Sequence, residues 1–178
     1  MRIISGHLRG RKIAQPNNKF TRPLKDLTKE SIFNMLQHSN LINFSLEKSK
    51  ILDLFSGVGS FGLECLSRGA KSVVFCENYP EALKILRKNI IDLSCQSKTQ
   101  VVIENIFNIK NLNQLYKKKF EVIFLDPPFK EKRLANLLDD ILSLKLLKSN
   151  GIIIIHRHKK EEEIYPKKFK ILKIKIYG

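Results

Sequence analysis

Short apolar segments alternate along this chain with segments of helical periodicity, and this alternation restricts the fold more than any other feature. The apolar segments are nearly continuous, as is typical of strands buried on both faces; they are "KILDL", "SVVFC", "QVVIE", "FEVIFL" and "GIIII". Between them lie amphipathic stretches such as "PEALKILRKNI", which predict helices. Strands separated by helices in this way form a parallel sheet covered on both faces. We therefore predict a doubly wound α/β fold with a mostly parallel sheet.

The first predicted strand runs into a glycine-rich turn, "GVGSFG" at residues 57–62, which matches the G-x-G-x-x-G pattern of dinucleotide-binding proteins. Gly57 and Gly59 allow a tight turn that lets the backbone approach a ligand closely. Asp53, at the end of the strand, is a poor neighbour for a pyrophosphate but a good one for the ammonium group of a methionine moiety. The turn therefore fits NAD by its pattern and S-adenosylmethionine by its charge. An Asp53 that only caps the turn is the alternative.

Ligands of such folds bind at the carboxyl ends of the strands, which we predict at Leu54, Cys76, Glu104 and Leu125. Glu77 follows the second strand and can accept hydrogen bonds from both hydroxyls of a ribose, unless it is a surface carboxylate facing Lys71 or Lys84. Asn105 follows the third strand and can bind an adenine amino group, although Asn is also common in turns. The predicted cofactor-binding residues are Asp53, Phe55, Gly57, Gly59, Glu77, Asn78, Asn105 and Ile106.

The fourth strand ends in "LDPPF", which is the most specific signal in the chain. Two consecutive prolines lack N–H donors, so we expect the backbone carbonyls beside Asp126 to be free acceptors. A carboxylate, a carbonyl and the Phe129 ring can together hold a planar amine and direct its nitrogen lone pair at an electrophilic methyl group. A proline-rich strand exit with an ordinary surface Asp is the alternative. The candidate catalytic residues are Asp126, Pro127, Pro128 and Phe129.

Other chemistries find little support in the sequence. Of the histidines only His156 and His158 lie close together, without a nearby cysteine, so we predict no metal site. Neither a phosphate-binding G-x-x-x-x-G-K-[ST] loop nor a G-x-S-x-G nucleophile motif occurs. A cytosine-C5 methyltransferase would need a cysteine after the fourth strand, and none lies there. The cysteines have spacings that predict reduced thiols rather than a zinc site or a disulfide framework; they are Cys65, Cys76 and Cys95.

The chain carries 33 basic and 17 acidic residues among 178, a formal charge of +16 that favours a polyanionic partner. An AT-rich coding sequence would also raise the lysine content, but it would not concentrate the scarce arginines near the N-terminus. We predict that residues 1–25 form a basic hairpin or arm that contacts RNA and that residues 26–178 form the methyltransferase domain. The candidate RNA-binding residues are Arg2, Arg9, Arg11, Lys12 and Arg22. No apolar run has the length of a membrane span, so we expect a cytoplasmic protein.

Four segments, in this order, resemble those of the RsmD family, S-adenosylmethionine-dependent enzymes that methylate N2 of a guanine in bacterial small-subunit ribosomal RNA. They are "MRIISGHLRGRKI", "TRPLKDLTKESIFNML", "LDLFSGVGSFGLECLSRGA" and "FLDPPF". The resemblance implies a Rossmann-like fold with a small N-terminal β-hairpin extension. It implies S-adenosyl-L-methionine as the cofactor, S-adenosyl-L-homocysteine as its product and 16S rRNA in the assembling 30S subunit as the partner. By the same likeness, Arg22 and Asp26 would help to shape the site.

Three positions depart from the family pattern: Ser5 replaces a usual glycine, Leu24 a usual threonine, and His156 a frequent glutamate after the fifth strand. The chain ends at Gly178, where the family turns back through one more strand. We therefore expect a monomer with an exposed or repaired sheet edge that is liable to self-association. The open alternatives are an adenine-N6 methyltransferase acting on DNA or RNA, a catalytically silent RNA-binding module, and an NAD enzyme.

Overall fold

A computed structural model describes residues 1–16, 24–108, 115, 118–158 and 165–177. The strands of its central sheet are β1 (Lys50–Leu54), β2 (Ser72–Cys76), β3 (Thr99–Val102), β4 (Phe120–Leu125) and β5 (Leu147–Ile155). All neighbouring strands pair in parallel, in the order β3-β2-β1-β4-β5. The chain moves outward from β1 to β3 and then returns to the other side of β1, so the strand order switches between β1 and β4. This confirms the predicted doubly wound parallel sheet.

In the described part of the chain, four α-helices cover the two faces of the sheet: α1 (Asp26–His38), α2 (Ser60–Ser67), α3 (Pro80–Asp92) and α4 (Leu134–Ser143). Helices α1 to α3 and the N-terminal hairpin pack on one apolar layer, whereas α4 packs on the other. The rings of Phe33, Phe61 and Phe124 stack with centroid distances of 5.2 and 4.0 Å, and this stack connects α1 and α2 to β4. No helix in the described part of the chain is long and apolar enough to cross a membrane.

The N-terminal residues form a hairpin whose two arms meet at one antiparallel bridge between Arg2 and Lys12. Ile3 and Ile13 point into the core and are 1% and 3% exposed, so the hairpin packs firmly on the domain. The predicted hairpin extension is therefore present. A functional boundary at residue 25 remains a prediction.

Three element boundaries differ from the sequence prediction. β3 ends at Val102 rather than Glu104, because the chain turns away there and exposes Ile103. α4 ends at Ser143, although the helical spacing of leucines continues further, because the chain turns at Lys145, which adopts a positive φ of 51°. β5 begins as early as Leu147, which pairs with Phe120, and the pairing register then shifts before Val122 meets Ile152. Tertiary pairing thus overrides the local pattern.

The far side of β5 is the edge of the sheet. Among the described residues, only β4 pairs with β5, so β5 is the expected unpaired edge; its residues 151–155 are half-buried and share the cleft with residues 165–177. Residues 165–177 run without regular secondary structure and expose several apolar side chains, including Ile174 and Ile176. This segment reaches α1, where Tyr177 Oη lies 2.6 Å from Ser31 Oγ. Self-association through the edge remains a prediction.

Candidate active site

A cleft of about 1710 Å³ is lined by residues that follow β1, β2, β4 and β5, and it extends further along α1, β5 and residues 165–177. Its part at the carboxyl ends of the strands lies at the switch point where ligands of such folds bind. The predicted site residues that line the cleft are Asp53, Phe55, Gly57, Glu77, Asn78, Asp126, Pro127, Pro128 and Phe129. Gly59, Asn105 and Ile106 are not part of this lining. The structure therefore brings most of the predicted cofactor and acceptor residues together.

Asp53 is the most deeply buried acid of the site, with 1% exposure. Its Oδ2 accepts a hydrogen bond of 3.0 Å from the Gly62 N–H, whereas its Oδ1 has no hydrogen-bond partner among the described residues. Burial raises the pKa of Asp53 well above its ordinary value against the opposing hydrogen bond from Gly62, and the nearby charges of Asp126 and Glu77 add to the rise. A buried carboxylate oxygen without a partner suits a cationic ligand such as an ammonium group. Asp53 can therefore cap the turn through Oδ2 and bind a ligand through Oδ1.

The three glycines of the turn differ in what constrains them. Gly57 has a φ of 54°, and no other group lies within 4 Å of the position that a Cβ would occupy, so its backbone stays open to a ligand. Gly59 has a φ of 85°, and a Cβ there would lie 2.6 Å from Leu86 Cδ1. Gly62 is helical, and its Cβ would lie 2.3 Å from Phe75 Cε1. Gly59 and Gly62 are therefore required for packing on the neighbouring elements, and Gly57 is the glycine exposed to the cleft.

Glu77 holds the glycine turn from the adjacent strand end. Its Oε2 accepts the Gly57 N–H at 2.7 Å, and its Oε1 accepts the N–H groups of Asn78 and Tyr79 at 2.9 and 2.7 Å. Burial raises the pKa of Glu77, and these three hydrogen bonds oppose the rise. Since a carboxylate oxygen has two lone pairs, Oε2 retains capacity to accept a ligand hydroxyl while both lone pairs of Oε1 are engaged. Contrary to the sequence expectation, the two oxygens are not equally available to a ribose.

Asn105 lies three residues beyond the end of β3, and its exposed side chain accepts the Phe107 N–H through Oδ1 at 3.0 Å. This is the turn-forming role that the sequence left as the alternative. Ile106 is 6% exposed and belongs to the apolar layer under α4. Next to it, the Phe107 ring packs 5.7 Å from Phe55 and lies beneath the guanidinium of Arg133.

The "DPPF" loop is fixed from β5. The Pro128 carbonyl accepts hydrogen bonds of 2.9 Å from the Glu131 N–H and from Arg157 Nη1. The Leu125 carbonyl, directly before Asp126, accepts the His156 N–H at 2.9 Å, so the expectation that the carbonyls beside Asp126 stay free is wrong for Leu125. Asp126 Oδ1 lies 2.8 Å from His156 Nδ1. The Phe129 ring makes an edge contact with His158 at 5.3 Å and remains 38% exposed, which leaves ring surface for a planar group.

Sequence reasoning missed the contacts of His156 and Arg157 with the loop after β4, because it considered His156 only as a metal ligand and as a departure from the glutamate frequent in the family. The sequence feature that could have indicated these contacts is the position of both residues directly after β5, the strand that pairs with β4. Within the described residues, no group of three or more His, Cys, Asp or Glu side chains is arranged to hold a metal ion. The three cysteines are buried free thiols whose pKa is raised by burial, so none of them is suited to act as a nucleophile.

The predicted RNA-binding residues Arg2, Arg9, Arg11 and Lys12 are exposed on the hairpin, and Arg22 lies outside the described residues. Arg11 also donates a 2.7 Å hydrogen bond to the Asp92 carbonyl at the end of α3. These side chains lie on the arms and the turn of the hairpin, on the same side of the sheet as α2.

A buried ionic cluster, which the sequence did not reveal, anchors the hairpin. The Glu64 carboxylate accepts the N–H groups of Ile4 and Ser5 at 2.7 and 2.9 Å and pairs with Arg68 at 2.8 Å. Lys29, on α1, is fully buried; its Nζ donates to the Arg2 carbonyl at 3.0 Å and lies 3.9 Å from Glu64. Burial lowers the pKa of Lys29, although Glu64 and Asp26 oppose the change. Lys29 therefore serves the hairpin and not a nucleic acid.

The similarity to known proteins extends over the entire chain. The family model described as Conserved hypothetical protein 95 matches residues 1–178. Ribosomal RNA small subunit methyltransferase D of Haemophilus influenzae is 37% identical over 183 residues, which cover 100% of this chain and 89% of that protein. Among solved structures, Escherichia coli yhhF is similar with a TM-score of 0.80 at 25% identity, and Haemophilus influenzae HI0767 with a TM-score of 0.73 at 33% identity. Each similarity spans 99% of this chain and 92% of the solved one.

Proposed function

Because the chain belongs to the RsmD family of S-adenosylmethionine-dependent methyltransferases, we propose that it methylates the exocyclic N2 amine of a guanine in 16S ribosomal RNA. S-adenosyl-L-methionine is the cofactor, and when bound it supplies an electrophilic methyl group on a sulfonium sulfur. The observation that carries the proposal is the single cleft lined both by Asp53 and Glu77 and by Asp126 and Phe129. Methyl transfer requires the reacting carbon and nitrogen to meet at about 3 to 3.5 Å, which one shared cleft permits.

The cofactor side of the cleft is formed by the ends of β1 and β2. Asp53 Oδ1 is the acceptor proposed for the ammonium group, because it is buried and has no partner among the described residues. Glu77 Oε2 is the acceptor proposed for a ribose hydroxyl, and Gly57 allows close approach of the backbone. Phe55 and Asn78 complete this side, whereas Gly59 contributes by packing the turn. Among the predicted cofactor-binding residues, Asn105 and Ile106 have the least structural support, because they do not line the cleft.

The acceptor side is formed by the loop after β4. The Asp126 carboxylate accepts an N–H of the guanine amine while the exposed surface of Phe129 stacks on the base. The amine nitrogen would use its lone pair to form the bond to the methyl carbon while the methyl–sulfur bond breaks and S-adenosyl-L-homocysteine leaves. The amine would give up one proton, which would pass to the Asp126 carboxylate and then to water. Pro127 and Pro128 restrict the loop so that these groups keep their relative positions.

The substrate is proposed to be the assembling 30S subunit, and the site of action is the cytoplasm. The hairpin, with Arg2, Arg9, Arg11 and Lys12 exposed, is proposed to contact RNA phosphates. The formal charge of +16 supports a polyanionic substrate, and the monomer is the proposed active form.

The test is methyl transfer by the purified protein from methyl-labelled S-adenosyl-L-methionine to small-subunit particles and to naked 16S rRNA. Digestion of the RNA to nucleosides, followed by mass spectrometry, is expected to show labelled N2-methylguanosine. Labelled N6-methyladenosine would replace the proposal by the adenine-N6 alternative. Binding of RNA without any labelled nucleoside would favour the silent RNA-binding module.

A further inference from the structure

The carboxyl ends of β4 and β5 bring Asp126 and His156 together. The backbone N–H of His156 donates to the Leu125 carbonyl at 2.9 Å, which continues the parallel pairing beyond the last strand residues. Because adjacent parallel strands run in step, the residues that follow them lie side by side. The side chains meet as well, with His156 Nδ1 at 2.8 Å from Asp126 Oδ1.

This hydrogen bond assigns a hydrogen to one ring nitrogen of His156. An ionised carboxylate only accepts hydrogen bonds, so Nδ1 carries the hydrogen and donates it to Asp126 Oδ1. The second oxygen of Asp126, Oδ2, then has both lone pairs available for an acceptor amine, whereas Oδ1 has one. The side chains of His156 and Asp126 are 26% and 22% exposed, so the pair is restrained by its surroundings and still opens to the cleft.

Arg157 fixes the remainder of the same loop. Its Nη1 donates to the Pro128 carbonyl and its Nη2 to the Glu131 carbonyl, each at 2.9 Å. Two consecutive residues after β5 therefore hold a carboxylate and two carbonyls of the loop that follows β4. Arg157 thus holds the backbone of the loop. The motion that His156 restricts is the rotation of the Asp126 carboxylate.

We propose that His156 is a positioning residue for methyl transfer: its Nδ1–H fixes one oxygen of Asp126 so that the other faces the acceptor amine. The inference rests on the proposed function, in which Asp126 binds that amine. The terminal torsion of an Asp side chain is broad, so an unrestrained carboxylate samples many orientations. Misplacement of a reacting group by about 1 Å can lower a rate by about a hundredfold, which makes such a restraint consequential.

The test compares His156→Ala with His156→Asn. The amide nitrogen of Asn lies close to the position of the ring Nδ1, so His156→Asn keeps a donor for Asp126 Oδ1 while His156→Ala removes it. We expect His156→Ala to lower kcat by about 10- to 100-fold with an unchanged KM for S-adenosyl-L-methionine. His156→Asn is expected to recover most of the lost kcat. His38→Ala, at the exposed end of α1, is the matched control and is expected to leave kcat unchanged.

Thermal unfolding and calorimetric cofactor binding of each variant separate positioning from loss of folding. Wild-type kcat in His156→Ala would overturn the proposal, as would a His156→Asn variant that is as slow as His156→Ala. The assay scores labelled methyl on every nucleoside of the RNA. A wild-type protein that methylates a different amine would refute the proposed substrate, while the ranking of the variants on that amine would still decide the role of His156. A wild-type protein that transfers no methyl group would overturn both proposals.

Discussion

The Gly57 N–H donates a hydrogen bond of 2.7 Å to Glu77 Oε2, so the residue after β2 holds the turn that follows β1. The same carboxylate accepts the N–H groups of Asn78 and Tyr79, which begin the path into α3. Glu77 therefore joins the two halves of the proposed cofactor site before any ligand is bound.

Substitution of Glu77 by Ala is expected to weaken cofactor binding through loss of both this restraint and the proposed ribose acceptor. The Kd for S-adenosyl-L-methionine should rise by about tenfold to a hundredfold, since a hydrogen bond to a charged group contributes about 1.5 to 3 kcal/mol. Calorimetry measures the change, and Glu81→Gln, an exposed acid on α3, is the control. An unchanged Kd in Glu77→Ala would remove Glu77 from the site.

Asp53→Asn is expected to stabilise the protein without cofactor and to weaken cofactor binding. The pKa of Asp53 is raised in the folded state, so the folded state binds the proton more strongly than the unfolded state does. Protonated Asp53 therefore stabilises the fold at low pH. This stabilisation is lost as the pH rises from the pKa of Asp53 in the unfolded state toward its raised pKa in the folded state. Above that range the Asn variant, which carries no buried charge, should have the higher Tm.

Thermal unfolding across pH tests the first half of this prediction, and calorimetry with S-adenosyl-L-methionine tests the second. Asp139→Asn, an exposed carboxylate on α4, should change neither quantity. If Asp53→Asn bound the cofactor as tightly as the wild type, the unpartnered Oδ1 would not be the ammonium acceptor.

Gly62→Ala should destabilise the fold without affecting the affinity for the cofactor. Its Cβ would lie 2.3 Å from Phe75 Cε1, and overpacking of this kind typically costs about 1 to 3 kcal/mol. The double variant Gly62→Ala with Phe75→Leu should recover part of the loss, because the smaller side chain yields space. A variant with normal Tm and reduced cofactor affinity would instead make Gly62 a ligand-binding glycine.

Asp126→Ala should lower methyl transfer by about a hundredfold or more, because the acceptor amine loses its positioning group. Cofactor affinity should be retained, because the proposed partner of Asp126 is the acceptor amine and not the cofactor. Single-turnover transfer and calorimetry measure the two quantities separately. Normal transfer in this variant would exclude Asp126 from the mechanism.

The double variant Arg9→Gln and Arg11→Gln should weaken RNA binding at low salt. The slope of log Kd against log salt should fall by about 0.7 to 0.9 for each phosphate that the hairpin no longer neutralises. The matched control is Lys119→Gln with Lys145→Gln, two exposed lysines; Lys119 precedes β4, and Lys145 follows α4, which packs on the other layer from the hairpin. Binding measured over a salt series distinguishes the two pairs. Equal effects of both pairs would indicate that the hairpin contributes only through the overall positive charge of the protein.

The sequence predicted those parts of the molecule that depend on local pattern. Apolar runs and glycine turns identified the parallel sheet, and the strand ends identified Asp53, Glu77 and Asp126. The buried pair of Lys29 and Glu64 was not predictable, because a charged residue on an amphipathic segment is expected to be exposed until its partner from another element is known. His156 was missed for a related reason: its hydrogen bond with Asp126 arises from pairing between strands that are 30 residues apart at that point.

Mass-spectrometric mapping of the modified nucleosides of ribosomal RNA, in cells with and without this protein, tests the central claim most directly. The proposed function predicts that one N2-methylguanosine disappears from 16S rRNA when the protein is absent and returns when the wild-type chain, but not Asp126→Ala, is restored. An unchanged set of N2-methylguanosines in 16S rRNA, or the loss of a different modified nucleoside, would contradict it.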